Sequence, residues 1–492
     1  MAGLFGISIG LDVSHTFFQK GLYWGVLYGR HLEEKQCGVS VLSQGLIFPK
    51  DLPGPYVAAF RSKDSIPSGT EGVGYCGLKG DFFHVDTCSK LGSYTVCFNG
   101  VISNRDRLIR EFEKDSHLFS DSKKSNAEIV AKVLAFGQDM DNAIQILKAK
   151  MEGAYSLLVL SQEGIWVVRS SLGHWPLVIG SHPAEDAIII ASESTGFNNL
   201  GFEIDREVGP GEFLLIKGGE PVVVVQGANE NSQRCSFYPV YTSHPAAKIN
   251  GQPASLVRKN LGACIAKRDI EGFKDPKSNL KRVDIVTLVP DSGRCSAIGY
   301  YQEYIRQANL GKISRIPFFD EVFFKYGFIR SYLGESQEER DERAHYKIVI
   351  TAETIKDFIA MLREAGLIEM VNDIFESGKI VVVLCDDSVV RGTQVRGNLV
   401  PKLQIIYEAE VDGIMIKVEI HVRASYPELL SHCPNSNTTK KGESLAESMP
   451  DLNERAKKLG VTSLRYTTRE DVFQVLGCDP KDLCHSCACR QE

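Results

Sequence analysis

The chain has 492 residues, 24% of them charged, with a formal net charge of −6 at pH 7. That length provides for two or three domains with real cores, and the mild acidity gives no general attraction to nucleic acid or to an anionic membrane. No run of about eighteen apolar residues exists, and Met1-Ala-Gly-Leu-Phe-Gly lacks the basic start of a signal peptide, so a cytoplasmic location is expected.

Residues 1–230 are rich in short β-type runs punctuated by Gly and Pro: Tyr94 to Phe98, Tyr155 to Leu160, Ile165 to Val168, Ala187 to Ala191 and Pro221 to Val225. Two amphipathic helices intervene, Asn126 to Ala135 and around Asp141 to Met151. Sheet layers with helices make this half α+β. From about residue 245 to 492, strand and helix alternate: a strand at Asp284 to Val289, a helix from Ala297 to Gln307, helical sequence over 353–376 and 394–410, and a strand at 414–422. This half reads as α/β with a parallel sheet. The stretch from Pro434 to Gly442 and that from Lys114 to Ser125 are polar loops without a functional signal, and no internal repeat is present.

The densest chemistry lies at Val381-Val-Val-Leu-Cys-Asp-Asp-Ser-Val-Val-Arg-Gly-Thr393. Four apolar residues read as a buried parallel strand. Asp386 and Asp387 follow at its end, the edge at which open α/β sheets bind ligands. Ser388, Arg391, Gly392 and Thr393 then supply hydroxyls, a cation, a glycine for close backbone approach and amide groups that open the next helix, an arrangement that holds a phosphate. Two carboxylates beside a phosphate cradle suit a phosphorylated sugar, with ribose hydroxyls taken directly or through Mg²⁺. The segment resembles the phosphoribosylpyrophosphate signature of type I phosphoribosyltransferases.

Seven further pieces stand in order along the chain: Met1-Ala-Gly-Leu-Phe-Gly-Ile, Phe98-Asn-Gly, Met151-Glu-Gly-Ala-Tyr-Ser-Leu, Gly173-His-Trp-Pro-Leu, Ala191-Ser-Glu-Ser, Val208-Gly-Pro-Gly-Glu and Val289-Pro-Asp-Ser-Gly. With the segment above, they make the chain resemble the amidophosphoribosyltransferases over nearly its whole length. The resemblance implies an αββα N-terminal-nucleophile (Ntn) hydrolase sandwich followed by an α/β type I phosphoribosyltransferase domain. It also implies a homo-oligomer.

The departures matter as much as the matches. In the family a cysteine follows the initiator Met and its thiolate attacks glutamine, the α-amine serving as base; here that position is Ala2. The family's arginine for the glutamine carboxylate falls at Gly77, and its aspartate for the glutamine amine at Asn126, leaving the oxyanion pair Asn99 and Gly100. The expectation is a degenerate glutaminase. Ser8 cannot present a free amine, and Cys37, Cys76, Cys88 and Cys97 read as core thiols.

Thirteen cysteines in a reducing compartment are core thiols or metal ligands, not a disulfide framework. The tail carries Cys484 and Cys487 as a Cys-x-x-Cys pair with Cys489 beyond it, a spacing that suits zinc and an iron–sulfur cluster equally. The family resemblance implies the cluster. One branch binds [4Fe–4S] through positions that correspond to Cys235, Cys433, Cys484 and Cys487, with Cys489 a possible competitor.

The resemblance places Asp291 and Ser292 at the sugar site, with Ser292, Asp386 and Asp387 around Mg²⁺. The family's second phosphate-loop threonine is Gln394 here. Its basic loop that closes over pyrophosphate keeps Arg330 and a displaced Lys325, with Gln337, Arg340 and Arg343 downstream. The expected activity is transfer of ammonia, free or from a separate glutaminase subunit, to phosphoribosylpyrophosphate. The alternatives are a sensing partner of an active paralogue, binding phosphoribosylpyrophosphate or nucleotides, and a transferase with another amine or base as acceptor.

Overall fold

A computed structural model describes residues 2–86, 90–225, 232–326, 346–436 and 441–490. The first strand, Gly3–Ile9, lies inside a seven-stranded antiparallel sheet between Ala187–Ala191 and Glu71–Gly77, and Leu46–Pro53 forms one edge. A second antiparallel sheet of six strands centres on Tyr94–Ile102, Gly153–Ser161 and Gly164–Arg169. The two sheets face each other across Leu4, Val73, Leu158, Leu160, Ile188 and Ile190. Helix His15–Tyr28 covers the outer face of the first sheet, and Arg105–Lys114, Asn126–Leu134 and Met140–Lys150 cover that of the second. The expected αββα sandwich is present.

Helices His15–Tyr28 and Arg105–Lys114 escape the sequence reading for different reasons. The first carries glycines that lower helix propensity. Its Gly25 lies against Phe5, where a Cβ would come 2.1 Å from the ring. The second is so charged that only Leu108, Ile109 and Phe112 mark its buried face.

In the second half, Phe318–Phe319, Ile285–Leu288, Lys379–Asp386, Ile414–Ala424 and Ser463–Tyr466 run parallel in that order, with Ala409–Val411 antiparallel to Ile414–Ala424. The apolar run at 380–385 is continuous because both faces are covered. Val381, Val383 and Cys385 meet helices Ala254–Gly272 and Arg294–Asn309, while Ile380, Val382 and Leu384 enter the core on the other side. Helical sequence over 353–376 is two helices, Ile355–Glu364 and Ile368–Ser377, broken at Gly366 with φ +73°. The helix expected over 394–410 starts with one wide turn, Val395–Leu399, and ends at Tyr407, where a short strand follows. The helix expected from Ala297 begins a turn earlier, at Arg294.

The two halves meet around Glu193, whose carboxylate accepts from Tyr238 Oη at 2.8 Å and from the His244 N–H at 3.0 Å, with His31 Nε2 at 2.9 Å. No helix among the described residues is long and apolar enough to cross a membrane.

Helices Ala254–Gly272 and Arg294–Asn309 touch backbone to backbone. A Cβ on Gly299 would lie 1.9 Å from the Lys259 carbonyl oxygen, and one on Gly262 would lie 2.1 Å from that of Ser296. Gly299→Ala gains about 1 kcal/mol of helix propensity but forces the helices apart at a cost of about 1–3 kcal/mol, so it should lower the urea midpoint. Gly397→Ala, with nothing within 4 Å of the added carbon, should leave the midpoint unchanged or raise it.

Candidate functional site

Parallel pairing of Ile285–Leu288 with Lys379–Asp386 brings two turns to one edge, Val289–Gly293 and Asp387–Thr393. There Ser292 Oγ donates to Asp386 Oδ1 at 2.8 Å across 94 residues of sequence. The Asp387 N–H donates to the same oxygen at 2.8 Å, and Ser388 Oγ to Asp387 Oδ1 at 3.1 Å. On the far side, the Ser425 and Tyr426 amides hold the Asp386 and Asp387 carbonyls at 3.0 and 2.9 Å. Gly392 has φ +72°, and a Cβ there would come 2.4 Å from Leu459, so the loop requires glycine. Arg391 is exposed and ion-paired with Glu443, while Thr393 and Gln394 begin the following helix.

Asp386 is 7% and Asp387 5% exposed. Burial, and then the neighbouring Asp387, push the Asp386 carboxyl well above the usual carboxylate range. Burial raises Asp387 to about 6, opposed by the Arg258 guanidinium nearby. Arg258, itself buried, donates to the carbonyls of Pro239 and Ser243. Its sequence context gave no sign of this role, because the contact is made only by packing. Ser292, Asp386 and Asp387 are an all-oxygen set of two buried carboxyls opposed by the single charge of Arg258, a chemistry that fits Mg²⁺.

Asp291 lies at the mouth, bridged by Lys325 Nζ at 3.3 Å and Arg294 at 3.5 Å. Lys325 therefore reaches the site, though displaced from the family pattern. Arg330, Gln337, Arg340 and Arg343 lie outside the described residues, as does Cys88.

In the first half, the Ala2 N–H donates to Asn99 Oδ1 at 2.9 Å between the two sheets. Gly100, at φ +138°, abuts Ala154 and Tyr155. A Cβ on Gly77 would lie 2.7 Å from Asp81 Oδ2 and 2.8 Å from the Ala2 methyl. Burial pushes the Asp81 carboxyl up to about 6, and its Oδ2 accepts the Leu78 N–H at 2.9 Å. Asn126 is the first residue of its helix, behind the capping Ser125. Cys37, Cys76 and Cys97 are fully buried, as core thiols should be.

The cysteines of the junction and the tail behave differently. The tail strand Leu483–Cys484 pairs in parallel with Arg234–Cys235, opposing Cys235 to Cys484. Burial raises the Cys235 thiol, and Cys487, Cys433 and Cys484 add to the rise, so all four lie within electrostatic reach of one another. Cys433 is pushed up to about 11 and Cys487 to about 12, burial first. Leu430 and Ser431 amides donate to the Cys487 carbonyl, and Asn435 Nδ2 approaches Cys484 Sγ at 3.9 Å. Cys489 instead takes an Arg469 N–H at 3.1 Å. Among the described residues, no three His, Cys, Asp or Glu side chains close to the distances of a single bound ion.

An antiparallel αββα sandwich with Ala2 between the sheets, followed by a parallel sheet with paired aspartates at its edge, defines a glutamine-amidotransferase-like unit joined to a phosphoribosyltransferase-like one. A glutamine amidotransferase domain family matches residues 86–199. The amidophosphoribosyltransferase of Methanocaldococcus jannaschii is 28% identical over 416 residues, 81% of this chain and 76% of that protein. That of Bacillus subtilis is 27% identical over 393 residues, 78% of this chain and 70% of that one. The fold matches the B. subtilis glutamine phosphoribosylpyrophosphate amidotransferase solved with ADP and GMP, with a TM-score of 0.75 at 23% identity over 99% of this chain and 96% of that one. The chain is thus similar to amidophosphoribosyltransferases in sequence over about four-fifths of its length and in fold over nearly all of it.

A carboxyl whose pKa is raised in the folded state favours folding below its ordinary range, and that contribution is lost as pH rises through the folded value. Asp386→Asn keeps an acceptor for Ser292 and for the Asp387 N–H while removing the buried charge. It should stabilise the ligand-free protein at pH 8 by about 1 kcal/mol, roughly 1–2 °C in Tm for a unit of this size. The gain should shrink as pH falls. Calorimetric scans at pH 8 and 5 check both the sign and the trend.

Proposed function

We propose that the chain is a phosphoribosyltransferase that joins ammonia to phosphoribosylpyrophosphate, giving 5-phosphoribosylamine and pyrophosphate, and that its glutaminase-like unit no longer hydrolyses glutamine. The observation that carries the reading is the Asp386–Asp387 pair. Two acids buried at a sheet edge with raised pKa cost stability, and a ligand bringing hydroxyls and a cation repays them. Asp386 and Asp387 take the ribose hydroxyls, and with Ser292 they would hold Mg²⁺, which when bound offsets the charge of the departing pyrophosphate. Ser388, Arg391, Gly392 and Thr393 cradle the 5′-phosphate. Asp291, with Lys325 and Arg294 beside it, belongs to the pyrophosphate end, a role the family pattern also gives to Arg330.

The ammonia lone pair forms the C1–N bond as the C1–O bond to pyrophosphate breaks. The bonding pair leaves with pyrophosphate, and one N–H proton passes to water. A neutral amine needs no general base, so the protein's contribution is position and charge.

Three observations support loss of the glutaminase. Ala2 offers a methyl where the chemistry needs a nucleophile. Gly77 carries no cation for the substrate's α-carboxylate, and the Asp81 carboxyl and the Ala2 methyl crowd the space beside it. Asn126 cannot pair with the glutamine amine as a carboxylate would.

Pyrophosphate release should require phosphoribosylpyrophosphate, Mg²⁺ and ammonium at high pH. Glutamine should not substitute for ammonium, even in Ala2→Cys. Asp386→Asn with Asp387→Asn should weaken phosphoribosylpyrophosphate binding at least tenfold, about 1.4 kcal/mol. Tight binding without turnover under any condition would replace the enzyme by the sensing partner.

Cys235, Cys433, Cys484 and Cys487 are proposed to hold a [4Fe–4S] cluster. Each thiolate of such a cluster binds a different iron, so the four sulfurs surround a space and need not converge on one point. Their mutual elevation of pKa fits that arrangement, because a metal would relieve it by deprotonating them. The role is structural, fastening the tail to the junction between the halves. Anaerobically purified protein should be brown, with about four irons per chain, and Cys484→Ser should be colourless and prone to aggregate. One zinc per chain in colourless wild type would favour a tetrathiolate site.

A further inference from the structure

A cavity of about 250 Å³ opens at the edge of the parallel sheet where the strands begin, opposite the carboxylate edge. Its wall gathers Lys274 from the turn after helix Ala254–Gly272, Lys281 and Arg282 from the approach to strand Ile285–Leu288, and Lys312 and Arg315 from the turn after helix Arg294–Asn309. Phe273 supplies an apolar side.

We infer that this cavity is a second anion site, separate from the sugar site, that takes a small phosphate monoester carried on a sugar or a nucleoside. Buried Asp284, 0% exposed, underlies the wall, where its carboxylate accepts the Val381 N–H at 2.8 Å and is paired with both Arg282 and Arg315. It orients two guanidiniums with one charge. Arg315 reaches Asp373 as well, yet its buried Nε–H has no acceptor among the described residues. A buried donor without an acceptor costs about 1–3 kcal/mol unless a ligand or water takes it. Lys281 Nζ donates to the Asp275 carbonyl, and neither Lys274 nor Lys312 is in ion-pair range of a carboxylate among the described residues.

Basic groups here also offset the negative ends of the two helices that finish at this edge. That role requires neither a cavity nor a spare buried donor. The volume is just under the ~300–1,000 Å³ of pockets for drug-sized ligands, which suits a sugar phosphate or a mononucleotide and excludes a folded peptide. The guanidinium ends of Arg282 and Arg315 are largely taken up by Asp284, Asp373, Ser377 and the Lys379 carbonyl, so the donors left for a phosphate dianion are Arg315 Nε and the Lys274 and Lys312 ammonium groups.

The test uses the full chain at low ionic strength carrying Asp386→Asn and Asp387→Asn, which remove the ribose contacts of the sugar site. Substitutions at Lys274 and Lys312, which lie outside it, separate the two readings. Ribose 5-phosphate, AMP and inorganic phosphate are titrated in by calorimetry. One of the two organic phosphates should bind at one per chain. Adding Lys274→Gln and Lys312→Gln, both exposed and tolerant of change, should weaken that binding at least tenfold. Inorganic phosphate binding as tightly would identify the phosphate group as the part recognised; weaker binding would assign recognition to the sugar or base as well. Binding of no organic phosphate, or binding unchanged by the lysine substitutions, overturns the proposal.

Discussion

The parallel pairing of Ile285–Leu288 with Lys379–Asp386 is the constraint on which the rest of the second half depends. Parallel strands point their C-terminal ends the same way, so the turns that follow them must emerge together. That is how Ser292 and Asp386, distant in sequence, come within a hydrogen bond. The closeness is set by Gly293, where a Cβ would stand 2.1 Å from the Cys385 carbonyl. Helices Ala254–Gly272 and Arg294–Asn309, pressed together at Gly262 and Gly299, cover one face of the pair.

Buried acids in this half divide by how their charge is met. Asp269, 1% exposed, accepts from Arg423 Nε at 2.5 Å, Arg465 at 2.6 Å and Tyr300 Oη at 2.7 Å, a closed network with nothing left for a ligand. Asp386 is met by a hydroxyl, a backbone amide and the neighbouring Asp387 carboxyl, and by no ion pair among the described residues. A paired carboxylate serves the fold. An unpaired one weakens it, and its retention at a sheet edge points to a ligand.

The junction of the halves is polar at Glu193 and sulfur-rich at the tail. Ser236 Oγ bonds Tyr426 Oη at 2.7 Å and the Cys484 carbonyl at 2.8 Å, tying three distant segments beside Cys235. The nucleophile end of the first half is by contrast filled. Ala2, Gly77 and Asp81 pack against one another where the family's pattern has a thiol and an arginine.

The sequence by itself determined the α+β character of the first half and the parallel α/β sheet of the second, because periodicity and burial on one or two faces leave a one-dimensional trace. The αββα sandwich came through family likeness, and helices His15–Tyr28 and Arg105–Lys114 left no such trace. The sequence singled out Asp386 to Thr393 because strand, acids, glycine and hydroxyls lie within one short segment. The convergence of the four thiols could be named only through family likeness, since their spacing fits two metals. Tertiary structure alone decided that Arg258 faces Asp387, that Asp81 occupies the space beside Gly77, and that basic residues from three segments ring a cavity over Asp284. Each is a contact between residues with no shared local pattern, fixed by which turns the packed strands and helices bring to the same edge.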